Sequence, residues 1–157
     1  MTADKNQAII NLLHSEWELV QAAVSTLKLS VLKCQLIGIK DSYSFEELES
    51  FDSLTSKFNR TSDIFTQKAL RSVWILLHEP FMPFIDMMNK CEKMAILSSS
   101  DQMIEIRDLR NQIAHEYLPD AIRELIPETI ELSGSLIENI ETCKLFIESR
   151  GWFSNEK

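Results

Sequence analysis

Seven apolar residues, Ile10, Leu13, Trp17, Val20, Val24, Leu27 and Val31, recur at alternating spacings of three and four near the start of the chain. That rhythm marks one buried helix face, close to a heptad repeat. Asp4 is placed to cap the start and Gly38 lies where the pattern fades, so the spacing predicts a first helix over about 5–36, roughly 45 Å long. A helix of that length needs long partners to cover it. The stretch IKDSYSFEE reads as a loop, with Ser44 and Glu47 in capping-box register. A second helix follows over about 45–78, its main apolar face made by Leu54, Phe58, Phe65, Ala69, Val73 and Leu76. On its opposite side Arg60, Asp63, Gln67 and Arg71 form a polar stripe at spacings of three and four, and Ile64 and Trp74 fall within that side too. A polar stripe flanked by large apolar groups suits a contact surface better than plain solvent.

Pro80 and Pro83 then break the chain. A third helix is predicted over about 84–97, with Met87, Met88 and Met94 as core filler. The SSSD segment is a loop and cap signal for a fourth helix over about 101–117, because Leu118 precedes Pro119 and a residue before proline is pushed out of helical geometry. The remainder is helical again: Pro127 marks a kink or a new first turn, Ile126, Ile130, Ser133, Ile137 and Ile140 line one face, and Gly151 is the stop. The expected architecture is a single all-α domain over 1–157, a four- to five-helix up-down bundle with a long first hairpin.

Composition narrows the function. Three glycines and four prolines in 157 residues agree with helices and against a many-turned β fold. The net charge of −8 argues against coating nucleic acid through general basicity, while leaving room for a local basic cleft. Charge is unevenly spread, with a surplus of three positives over 55–75 and of six negatives over 116–148. Two solvated helix faces and a functional charge split both fit that pattern. Cys34, Cys91 and Cys143 are odd in number and widely spaced, which points away from a disulfide framework and towards a reducing, cytoplasmic setting. The polar start MTADKNQ lacks the layout of a signal peptide, and no apolar run approaches the roughly 20 residues of a membrane helix.

The chemistry concentrates in RDLRNQIAHEYLPD, residues 107–120, where Arg110, Asn111, His115 and Tyr117 gather at the end of one helix. Together they resemble the Arg-Asn-x-x-x-His core of HEPN domains (higher eukaryotes and prokaryotes nucleotide-binding), and more narrowly the Arg-x4-His-x-Tyr form of the HepT-like toxins. The resemblance rests on these eight or so residues. It implies a HEPN-like bundle, a metal-independent endoribonuclease without cofactor, and the toxin role of a toxin–antitoxin pair. It further implies a homodimer whose two motif helices share one cleft, and a minimal nucleotidyltransferase antitoxin that transfers AMP to the motif tyrosine, here Tyr117. The alternative is a non-catalytic HEPN module that binds nucleotide or the nucleotidyltransferase partner.

The residue types suit that role. RNA can be cut by its own 2′-hydroxyl, a reaction that wants a proton donor or acceptor active near neutral pH and a cation on the phosphate. His115 offers the first, at the negative end of a helix dipole, and Arg110 offers a fork of donors for the phosphoryl oxygens. Asn111 is a supporting residue on the same helix side as His115. Geometry makes one demand: on a regular helix Arg110 and His115 are about 140° and about 7.5 Å apart, so they meet only through a helix-end distortion, long side chains or a second copy. The plain alternative for Arg110 and His115 is a buried polar cluster tying the helix end to a neighbour through Glu105 or Asp108. Arg60, Asp63 and Arg71 line a substrate groove or form helix-face ion pairs. His14 with Glu18 makes no metal site by itself, and His78-Glu79 reads as a helix-end pair.

Overall fold

The first apolar stripe forms one uninterrupted helix. In the computed structural model, which describes residues 3–154, α1 runs Ala3–Ile37, and Asp4 lies inside its first turn rather than at the cap. Gly38 ends it at φ +70°, donating its N–H to the Cys34 carbonyl at 3.2 Å. The loop leads into α2 (Phe45–Ile64), where Ser44 and Glu47 make the reciprocal capping box. A π-helical turn, Phe65–Ala69, joins α2 without a break to α3 (Leu70–Leu76). Then come α4 (Phe84–Lys93), α5 (Ser100–His115), α6 (Pro119–Glu124) and α7 (Ile126–Ser149), and no strand occurs among the described residues. The chain is an all-helical bundle, with a long first hairpin formed by α1 against the α2–α3 rod.

The core follows the apolar stripes. Leu54, Phe58, Phe65, Ala69, Val73 and Leu76 are all buried against Leu13, Trp17, Val20 and Leu27 of α1. Trp74 departs from expectation: it is buried, with its indole N–H donated to the Pro80 carbonyl at 3.0 Å. The π turn explains the difference, because five residues wound at the wider π pitch lag a regular helix by roughly 90°. That lag swings Leu70 and Trp74 from the polar side onto the core.

Three boundaries also differ from the sequence pattern. The third helix stops at Lys93, because Ala95 adopts φ +60° and the chain folds back so that Ile96 and Leu97 both donate to the Cys91 carbonyl. Both of those side chains enter the core. The fourth helix stops at His115, leaving Tyr117 outside it. Finally, α6 is a separate short helix, and Pro127 opens α7 in its first turn. No helix among the described residues is long and apolar enough to cross a membrane.

Candidate functional site

The motif helix α5 is anchored at its start by a buried amide. Asn139 of α7 is fully buried; its Oδ1 accepts the N–H groups of Ser98 and Ser99 at 3.0 and 3.1 Å. Its Nδ2 donates to Gln102 Oε1 at 3.0 Å and to the Ser135 carbonyl at 2.8 Å. Ser99 caps the helix by accepting the Gln102 N–H. Met103, Ile106, Leu109 and Ile113 are buried along one face, which leaves Arg107, Arg110 and Asn111 turned towards α2 and α4.

Arg110 meets Asp63 there. Its Nε and Nη2 donate to Oδ1 and Oδ2 at 2.9 and 2.8 Å, a two-point fork between α5 and α2. The Asp63 hydrogen bonds push the Arg110 guanidinium further up from its ordinary range, reinforced by the Asp63 charge. Asn59 adds a main-chain tether, its Nδ2 donating to the Arg110 carbonyl at 3.3 Å. The sequence offered Glu105 or Asp108 as the partner of Arg110; the partner is Asp63.

A cleft of about 260 Å³ opens beside this pair, walled by Asp63, Thr66, Gln67, Phe84, Arg107, Arg110 and Asn111. The π turn supplies Thr66 and Gln67 to that wall. Arg107, which lies outside the motif, has its guanidinium carbon 4.4 Å from the Phe84 ring centroid. Its spacing of three from Arg110 on one helix is the sequence signal that points to it. Two guanidiniums against one carboxylate give the cleft a local net charge of +1 within a chain of net −8.

The other candidates lie elsewhere. His115 is the last residue of α5, exposed, and its side chain makes no hydrogen bond or ion pair among the described residues. It is not part of the Arg110 cleft wall. Tyr117 is 86% exposed and lines a second cleft of about 410 Å³, together with Phe51, Thr55, Ile113, Ile122 and Arg123. The Glu116 carboxylate shapes that turn by accepting the N–H groups of Tyr117 and Leu118, both at 3.1 Å. Asp63 and Gln67 of the polar stripe reach the Arg110 cleft, while Arg60 and Arg71 are exposed outside its wall.

His14 Nε2 makes a 2.7 Å hydrogen bond with the Trp152 carbonyl. The expected His78-Glu79 pair is absent: Glu79 binds Lys90 instead, and His78 takes φ +57° at the helix end. Family models, curated proteins and solved structures give no match to this chain.

Proposed function

We propose that the chain is a HEPN-type, metal-independent endoribonuclease, the toxin of a toxin–antitoxin pair, controlled through Tyr117. The observation that carries the reading is the Arg110-Asn111-x3-His115-x-Tyr117 motif at the end of α5, with Arg110 opening into a cationic cleft. In the proposed reaction the RNA 2′-oxygen attacks the neighbouring phosphorus and the P–O5′ bond breaks. His115 gives its proton to the departing 5′-oxygen, the 2′-hydroxyl proton leaves to water, and the products are a 2′,3′-cyclic phosphate and a 5′-hydroxyl. Arg110 and Arg107 face the phosphoryl oxygens as their charge grows.

Arg110 and His115 do not share a cleft within one chain, which supports a working unit of two copies joined at their α5 ends, His115 of each completing the other's site. The exposure of Tyr117 supports its use as acceptor for AMP from a nucleotidyltransferase antitoxin. A phosphodiester there would crowd the helix end beside His115. The test is labelled RNA in EDTA with wild type and His115→Ala, the wild-type mass being checked for AMP. Cleavage by wild type alone, leaving cyclic phosphate ends, is the expected outcome.

A second reading has its own observation. The Arg110 fork is already filled by Asp63, as in a pin between helices, and the same cleft would then hold a nucleotide phosphate without cutting. Phosphate or AMP binding with no cleavage by the unmodified protein selects that reading.

A further inference from the structure

We propose that the outer face of α1 is a self-association surface, on which a second copy of this chain lays its own α1 antiparallel. Behind the buried stripe, α1 carries a second one. Ala8, Leu12, Ser15, Leu19, Ala22, Thr26, Leu29, Lys33 and Leu36 alternate at spacings of four and three along the helix, and all are exposed. A 3.5-residue repeat drifts steadily round a straight helix, and a second helix coiled against the first tracks such a drift along its whole length. Leu12, Leu19, Leu29 and Leu36 are 48, 50, 68 and 88% exposed, and Leu32 beside them 57%.

These five leucines leave uncovered roughly 500 Å² per chain, or about 1,000 Å² over a pair before their neighbours are counted, close to the lower bound for a stable interface. A contiguous patch of that size is at the upper end of what a monomer exposes, and patches that large are often functional.

Shape and charge select the second copy and its direction. With the two-fold axis at Ala22, Leu36 meets Ala8 of the other copy, Leu29 meets Ser15, Leu12 meets Leu32, and Leu19 meets Ser25 and Thr26. Large side chains then fall mostly against small ones. A parallel pair would instead set Lys33 against Lys33 within the stripe. The antiparallel pair faces the exposed charges of the first half of α1 (Asp4, Lys5 and Glu18, net −1; Glu16 is buried) with those of the second (Lys28 and Lys33, net +2). This surface is separate from the motif: α1 packs chiefly on α2, the π turn, α3 and α7, whereas α5 packs on α2, α4 and α7. Pairing through α1 therefore proceeds whether or not the α5 ends also pair.

Cysteine cross-linking reads the contact directly. Under mild oxidation Ala22→Cys gives a disulfide-linked dimer, and Leu12→Cys does not, because two copies of residue 12 lie roughly 30 Å apart in the antiparallel pair. By light scattering, Leu19→Lys with Leu29→Lys halves the particle mass of wild type while circular dichroism and Tm hold, since both positions are exposed. Four results would overturn the proposal: no cross-link through residue 22; cross-links through both cysteines, which means a parallel pair; an unchanged mass in the double variant; or a wild type that stays monomeric and sediments with anionic vesicles instead.

Discussion

Removing the charge of Asp63 tests both what the Arg110 pair does for the fold and what it does for ligands. The two side chains are 30 and 32% exposed, so the pair lies between a surface ion pair, worth up to about 1 kcal/mol, and a buried one, whose rupture costs about 3–5 kcal/mol. Its two-point geometry and partial burial place the coupling at about 1–2 kcal/mol. For a chain of 157 residues this corresponds to a fall in Tm of roughly 2–8 °C for Asp63→Asn or Arg110→Gln. The double variant should fall scarcely further than either single one, because the second substitution removes nothing that remains. Urea and thermal unfolding of the four proteins give the cycle, and added salt should shrink the coupling without abolishing it. Strictly additive losses would refute the pair as a link between α5 and α2. On the proposed function Asp63 also competes with phosphate for the Arg110 fork. Asp63→Asn should therefore tighten RNA binding several-fold, and weaker binding would mean that Asp63 is needed to aim Arg110.

Other consequences are measurable by simpler means. Asn139→Ala removes the acceptor of the part-buried Ser98 and Ser99 N–H groups, which should cost about 1–3 kcal/mol and lower Tm by roughly 2–12 °C in a melting experiment. Burial pushes the Cys91 thiol up to about 12 and raises Cys143 as well, so both should resist thiol reagents at pH 8 until the protein unfolds. Because the unfolded thiols ionise first, the Cys91 contribution to stability is intact below about pH 8.5 and is lost as pH rises towards about 12, seen as a falling urea midpoint. Ser44→Ala removes the cap of α2 and should cost about 1 kcal/mol, with no change in oligomeric mass.

Much of the bundle is written in the periodicity of the chain. The Leu13-Trp17-Val20 and Leu54-Phe58-Phe65 faces are buried, and Gly38, Gly151 and the Ser44–Glu47 box act where helix-end chemistry requires them. What escapes the pattern is set by long-range packing. Ala95 turns at positive φ without being glycine, so nothing local announces that the third helix stops at Lys93; burial of Ile96 and Leu97 drives it. On α7 Ile126, Ser133 and Ile140 are buried as the pattern expects, but between them Thr129 and Leu136 are buried while Ile130 and Ile137 are half-buried. Ile130 and Ile137 are the more apolar choice for a core, but Thr129 can turn its hydroxyl inward, satisfied by the Leu125 carbonyl at 2.7 Å.

The candidate site turns on the same distinction. Arg110 and Asp63 stand out in the sequence separately, on different helices, for unlike reasons, and the fold brings them into one two-point contact. Their meeting depends on the rod that carries Asp63. A regular helix from Phe45 to Leu76 would turn Leu70 and Trp74 out of the core, and rotating the rod to bury them would carry Asp63 away from α5. The π turn removes that conflict by inserting the phase lag just after Asp63, so the first half can face α5 while the second half faces the core. Shortening the turn by deleting Lys68, an exposed residue within it, tests this account. A rod regularised in this way must give up either the Trp74 packing or the Arg110–Asp63 pair. The expected outcome is a loss of more than about 3 kcal/mol, together with a shifted tryptophan emission or the disappearance of the Asp63–Arg110 coupling. A deletion variant that kept full stability, the same emission and the same coupling would show that the π turn is incidental to the site.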